Sequence, residues 1–294
     1  MADQARDGVA WRLGTIGFSY ADWAGVLYPR GVSGADRLTH YARFFDAIEL
    51  DTTFYALPAL ETVRRWGDAV PSGFRFTLKA PKSVTHEVRE GHLLSSFARD
   101  EMGRLLEVAR SGLGSKLHTV LCQFPAAFRV DRLGELEEWL GPLPGGVRYA
   151  VELRHDSWWV PETAAVLREL GVTWVCADEA PMHEVGRAPL AGAFSSRARP
   201  IVPTSDVLYV RWVGVHAQYD DLSREHVDAS ARVRWWAERL RAVLAKRPEV
   251  REVVGFFGNG FSGFGPAVCH RFRGEVGVCG WSEPGPEVPE DGLF

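Results

Sequence analysis

Apolar runs alternate with polar segments eight times along the 294-residue chain, and each run ends in polar or glycine-rich sequence. They occupy residues 12–18, 47–51, 74–79, 117–123, 148–154, 172–178, 207–213 and 253–257. Short apolar runs of this kind predict buried strands, and most are followed by a stretch with helical spacing. Asp36 stands as a cap before Leu38, Tyr41, Phe44 and Phe45. Helices are predicted over 60–69, with Val63 and Trp66 on one side, and over 94–110, with Phe97, Leu105 and Val108 turned inward. Others fall at 131–140, at 161–170 with Pro161 in the first turn, and at 232–246 on the apolar side of Val233, Trp236, Leu240, Val243 and Leu244. Eight strand–helix units predict an α/β fold, a (β/α)8 TIM barrel with its chemistry on the loops at the C-terminal strand ends. The sixth unit is irregular: residues 179–205 are rich in proline, glycine and serine, a long loop that either covers a site or pads the surface.

Alternation within the strands then assigns side chains to faces. In AIELDTTF, Ile48 and Leu50 share the face that meets the helices, leaving Glu49, Asp51 and Thr53 towards the barrel axis. The same count sends Phe76 and Leu78 outward and Lys79 inward. Tyr149, Val151 and Leu153 go outward, Glu152 and Arg154 inward. Leu208, Val210 and Trp212 go outward and Arg211 inward, while Gln123, Asp178 and Asn259 stand at the ends of the fourth, sixth and eighth strands. Glu49, Asp51, Glu152 and Asp178 with Lys79, Arg154 and Arg211 thus form a charged constellation whose burial demands pairing. Either it is a pocket for a small polar or anionic ligand, or an ion-pair network that closes the barrel mouth.

If it is catalytic, Glu152 and Asp178 are the acid/base pair, with Glu49 as a further carboxylate and Lys79 as base or electrostatic group. Arg154 and Arg211 suit a bidentate grip on a carboxylate or phosphate. The loop GNGFSGFGPA at 258–267, with Asn259, Gly260 and Ser262 before Pro266, either presents backbone N–H groups to an anion or is a tight turn. Tyr20 and Tyr55 are aromatic candidates for stacking on a ligand, and His86 lies just past the third strand.

Composition narrows the picture. A net charge of −4 gives no general attraction to nucleic acid or acidic membranes, so a nucleic-acid groove built on Lys79, Lys82 and Arg89 is the least favoured reading. No apolar run approaches the ~20 residues of a spanning helix, and the polar start MADQARDGVA lacks a signal-peptide core. A cytoplasmic protein of one domain over 1–294 is therefore expected, its core at about 11–280 and its tail from about 281 flexible. The four cysteines have no metal or redox spacing and read as structural thiols. The nine histidines form no HExxH or HxH pattern, so no metal and no cofactor is expected. The absence of G-x-S-x-G argues against serine-hydrolase chemistry.

Several segments carry a family resemblance. They are GTIGFSYADWAGVLYP at the start, then IELDTTFYALP, GFRFTLKAPKSVTH, QFP, AVELRHDSWW, the DEAP at 178–181 and the asparagine-glycine loop at 258–265. In that order they resemble the YecE-like family, domain of unknown function 72, over nearly the whole chain. The resemblance implies a TIM-type barrel loosely related to sugar isomerases, with no established reaction. Two positions depart from the family pattern. The seventh strand reads Arg211-Trp212-Val213-Gly214-Val215 in place of a histidine-glycine pair followed by arginine, and Gly258 precedes Asn259 in place of a second asparagine.

The combined expectation is an enzyme independent of metal, acting on a small sugar-like or phosphorylated molecule. A non-catalytic metabolite-binding module is the alternative.

Overall fold

The computed structural model describes residues 8–87, 89–179, 197–215 and 217–278. Two parallel ladders account for the strands. One runs through β2 (Ala47–Leu50), β3 (Arg75–Lys79), β4 (Leu117–Phe124), β5 (Arg148–Leu153) and β6 (Thr173–Trp174). The other joins β1 (Ala10–Thr15), β10 (Glu252–Phe257), β9 (Val207–Gly214) and β7 (Cys176–Glu179), with the short β8 (Arg197–Ala198) antiparallel on β7. Only Val175 separates β6 from β7, and its N–H bonds Val151 O, so the two are one interrupted strand. At the opposite seam, Ile16 bridges Glu49, and the Gly17 N–H reaches Glu49 O. These two joints close the ladders into the eight-stranded barrel.

The sheath consists of α1 (Arg37–Tyr41), α2 (Leu60–Asp68), α3 (Lys82–Thr85), α4 (Ser96–Leu113), α5 (Leu133–Leu140), α6 (Pro161–Glu169), α7 (Ser230–Leu244) and α8 (Gly265–Val276). Proline opens α6 and also α8, where a missing N–H costs nothing. The helix expected after Asp36 is short, because Asp36 accepts from the Ser33 hydroxyl rather than capping the helix. Phe97, expected inward on α4, is 52% exposed, while Met102, Leu105, Leu106 and Ala109 make the buried stripe. Phe97 falls outside that stripe at helical spacing, whereas Ala98 in the same first turn lies within it and is buried.

Two apolar regions result. The larger lies between strands and helices and contains Ile48, Leu50, Phe76, Leu78, Val151, Leu153, Val210 and Trp212, the side chains that alternation sends outward. The smaller fills the barrel itself with Leu121, Ala150, Val175, Val207, Tyr209, Val254 and Phe256. At the N-terminal end of the barrel, a register shift between β3 and β4 leaves His118 as an extra residue, and its ring bonds Glu252 at 2.9 Å. Above the apolar layers, at the C-terminal end, the interior becomes charged. The irregular loop at 179–205 lies largely outside the described residues, as does the tail from 281.

Candidate active site

Side-by-side residues in a parallel ladder share a face, so the register places the polar groups. Gln123 pairs with Glu152 across β4 and β5, and Ala177 pairs with Arg211 across β7 and β9. Glu49, Gln123, Glu152 and Arg211 all turn inward above Leu121, Ala150 and Tyr209. Arg211 is the hub. Its Nε and Nη2 donate to the two Glu49 oxygens at 2.9 and 2.7 Å, and its Nη1 donates to Glu152 Oε2. Tyr209 donates its hydroxyl to Glu49 at 2.7 Å from one layer below. Gln123 and Arg154 donate to Glu152 Oε1 at 2.6 and 2.9 Å. Arg154 then meets Glu179 at 3.1 Å, and Arg199 approaches Glu179 at 3.8 Å while also pairing with Asp156.

Electrostatics divides these groups by role. Burial alone would raise the Glu152 pKa, but Arg211, Arg154 and the Gln123 hydrogen bond outweigh it and hold the carboxyl well below its usual range. Glu179 goes the other way: burial and the neighbouring Glu152 charge push it up to about 7, against Arg154 and Arg199. Burial and the Arg211 charge lower Lys79 to about 8, against the pull of Glu152 and Glu49. The Lys79 ammonium sits 3.9 Å from the centroid of the Phe54 ring and makes no hydrogen bond or ion pair among the described residues.

Four expectations change on this geometry. Asp178 is not in the mouth. It pairs with Trp212, so it shares the outward face, where it accepts from Arg232 at 2.9 and 3.1 Å and from Trp236 Nε1 at 2.6 Å. Glu152 and Asp178 therefore lie on opposite sides of the barrel wall. The inward acid at that strand end is Glu179, which alternation from Trp174 and Cys176 would have identified, since Asp178 falls in phase with those two apolar residues. Arg211 is not an open fork for an anion, because carboxylates engage all three of its nitrogens, at three of its five N–H donors, and Arg154 is also bound on both sides. Finally, the loop at 258–265 is closely packed, with Asn259 Nδ2 and Ser262 Oγ buried and without hydrogen-bond partners among the described residues. Asn259 Oδ1 accepts from Gly265 N at 3.0 Å at the start of α8, and Gly260 O accepts from Val215 N at 3.0 Å. A Cβ on Gly260 would stand 2.4 Å from Val215 O. Ser262 is fully buried, and its carbonyl takes the His226 N–H.

The remaining candidates frame the mouth. Thr53 donates to Lys79 O at 2.6 Å and so ties the loop after β2 to the end of β3. Asp51 is half-buried. Tyr20 donates to Ile16 O at 2.9 Å, and burial together with Asp51 and Glu49 raises its hydroxyl pKa. His86 and Tyr55 both meet the Phe54 ring edge-on. Among the described residues, no three His, Cys, Asp or Glu side chains are grouped to hold a metal ion. No helix among them is long and apolar enough to cross a membrane.

Fold and site together define a TIM-type barrel with a buried carboxylate–guanidinium network at its C-terminal mouth. The family of the protein of unknown function DUF72 matches residues 12–290, and the chain belongs to that family. It is 31% identical over 191 residues to the UPF0759 protein YecE of Escherichia coli K12, covering 62% of this chain and 68% of that protein. It is 26% identical over 169 residues to the UPF0759 protein YunF of Bacillus subtilis, covering 54% of this chain and 58% of that one. A DUF72 family crystal structure from Thermotoga maritima superposes with a TM-score of 0.64 at 28% identity, covering 91% of this chain and 99% of that one. Another from Enterococcus faecalis gives 0.67 at 22% identity, covering 92% and 96%.

Proposed function

We propose that this protein is an acid–base enzyme acting on a small anionic molecule, sugar-like or phosphorylated, at the C-terminal mouth of the barrel. One observation carries the reading: every arginine of the mouth network is paired to a carboxylate, whereas Lys79 has none among the described residues. An ammonium held without a counter-ion in a half-buried setting gains most from an anionic oxygen brought by a ligand. Lys79 is then the cation and proton donor to that oxygen. Glu179, with a pKa near neutrality, is the group that can exchange a second proton. Glu152, kept ionised, and Arg211 fix the geometry around them.

The test is calorimetric titration of the full chain with phosphate, acetate and a panel of sugar phosphates, repeated with Lys79→Met. Binding that the substitution abolishes supports the assignment, and equal binding by both proteins removes it. Engagement of all three Arg211 nitrogens by Glu49 and Glu152 also favours a second reading, a rigid binding module without chemistry. Turnover of any bound molecule would exclude it.

A further inference from the structure

Beside the mouth, a groove of about 430 Å³ runs between the loop after β2 and the segment after β3. Its walls include Phe54, Tyr55, Leu57, Lys82, Ser83 and His86. Tyr55 is 76% and Leu57 41% exposed, two of the four large apolar side chains exposed among the described residues. Single exposed apolar residues need no explanation, but two bordering one concavity the size of a small-molecule site do. The groove adjoins the site already described at Phe54. Phe54 lines it and carries the Lys79 ammonium over its ring, while Tyr55 and His86 meet that ring edge-on at 5.1 and 4.7 Å between centroids.

The chemistry of the walls points to one kind of occupant. Burial and the charges of Lys79, Arg154 and Lys82 push His86 down to about 4, so at neutral pH it offers an uncharged ring. Tyr55 and Leu57 offer flat and branched apolar surface. Ser83 is engaged with Glu101 at 3.2 Å, and the charge of the exposed Lys82 is offset by Glu87 and Glu101 in the same walls, which leaves the ring contacts rather than charge to define this groove. We infer that this groove is a ring subsite: the substrate carries a planar aromatic ring joined to the anionic group that Lys79 receives, and the ring lies against Tyr55, Leu57 and His86. The inference rests on Lys79 as the anion contact, and it narrows the substrate class from small anions to aryl-bearing ones.

Two matched pairs of probes separate the two claims: phenyl phosphate against inorganic phosphate, and benzoate against acetate. Each is titrated calorimetrically into the wild-type chain and into a Tyr55→Ala/Leu57→Ala variant, whose substitutions are at exposed positions. The ring-bearing anion of at least one pair is expected to bind about tenfold more tightly than its small partner, ~1.4 kcal/mol. The double variant is expected to erase that advantage and to leave the small anion's affinity unchanged. Small anions that bind with no advantage for the ring would overturn the subsite and leave Lys79 as the anion contact. An advantage that survives in the double variant would also overturn it, by placing the ring elsewhere. Failure of all four probes to bind would overturn both claims.

Discussion

Replacing Lys79 by methionine should stabilise the folded protein at neutral pH, and the gain should vanish in alkali. Lys79 is charged at pH 7 in both folded and unfolded chains, but in the fold its ammonium is half-buried and has no counter-ion among the described residues. Its pKa falls from 10.5 to about 8, burial being the largest cause. Below pH 8 both states hold the proton and the fold bears the full penalty. Between about 8 and 10.5 the unfolded chain binds more protons, so wild-type stability rises with pH. Above that range the penalty is gone. At about 1.4 kcal/mol per pKa unit, the penalty is about 3.5 kcal/mol, and partial exposure of the side chain reduces it to roughly 2. Methionine keeps the length and loses the charge, so its advantage should be about 2 kcal/mol at pH 7 and near zero at pH 10.5. Urea unfolding at intervals from pH 6 to 10.5 measures the difference directly. A lysine held by Glu49 or Glu152 would give the opposite result: Lys79→Met would destabilise at pH 7 by leaving a carboxylate unpaired. That outcome, or a difference independent of pH, would refute the account of Lys79 and the function built on it.

Three further outcomes follow from other parts of the fold. Asp178→Ala should cost about 3 kcal/mol or more in thermal or urea unfolding, since it strands the buried Trp236 N–H and unpairs Arg232, yet leave anion binding by the folded fraction unchanged. Glu252, whose burial is outweighed by His118 and Arg12, is held down at about 2 against an ordinary 4.5. Its stabilising contribution is therefore present above about pH 4.5 and lost as pH falls towards 2; Glu252→Gln should flatten that part of an acid-unfolding curve by about 2 kcal/mol. Gly214→Ala should abolish soluble expression or lower the melting temperature sharply, because φ is +68° there and a Cβ would stand 2.0 Å from Gly260 O.

The barrel was legible because its strands obey a simple alternation against a helical sheath. Ile48, Glu49 and Leu50, or Val210, Arg211 and Trp212, each divide cleanly between core and axis. The same rule applied to Trp174, Cys176 and Asp178 sends the aspartate outward, and reading it only as a strand-end acid obscured both its real position and Glu179. What alternation cannot give is which charges pair. Arg211 engages two carboxylates from strands far apart in sequence, so the engagement of all three of its nitrogens depends on barrel closure. The loop at 258–265 was ambiguous for a different reason. Glycine serves close packing and anion binding equally well, and only the contacts with Val213 and Val215 show that Gly260 is closely packed.

Asp178 and Glu179 are neighbours that serve opposite sides of one wall, the first fastened to α7 and the second to the arginines of the mouth. A slip of this strand by one residue exchanges them. Slipped either way, the strand leaves one of two cations, Arg232 outside or Arg154 inside, without its carboxylate and offers the other one of the wrong length. Two adjacent acids thus tie the register of one strand to both faces of the wall.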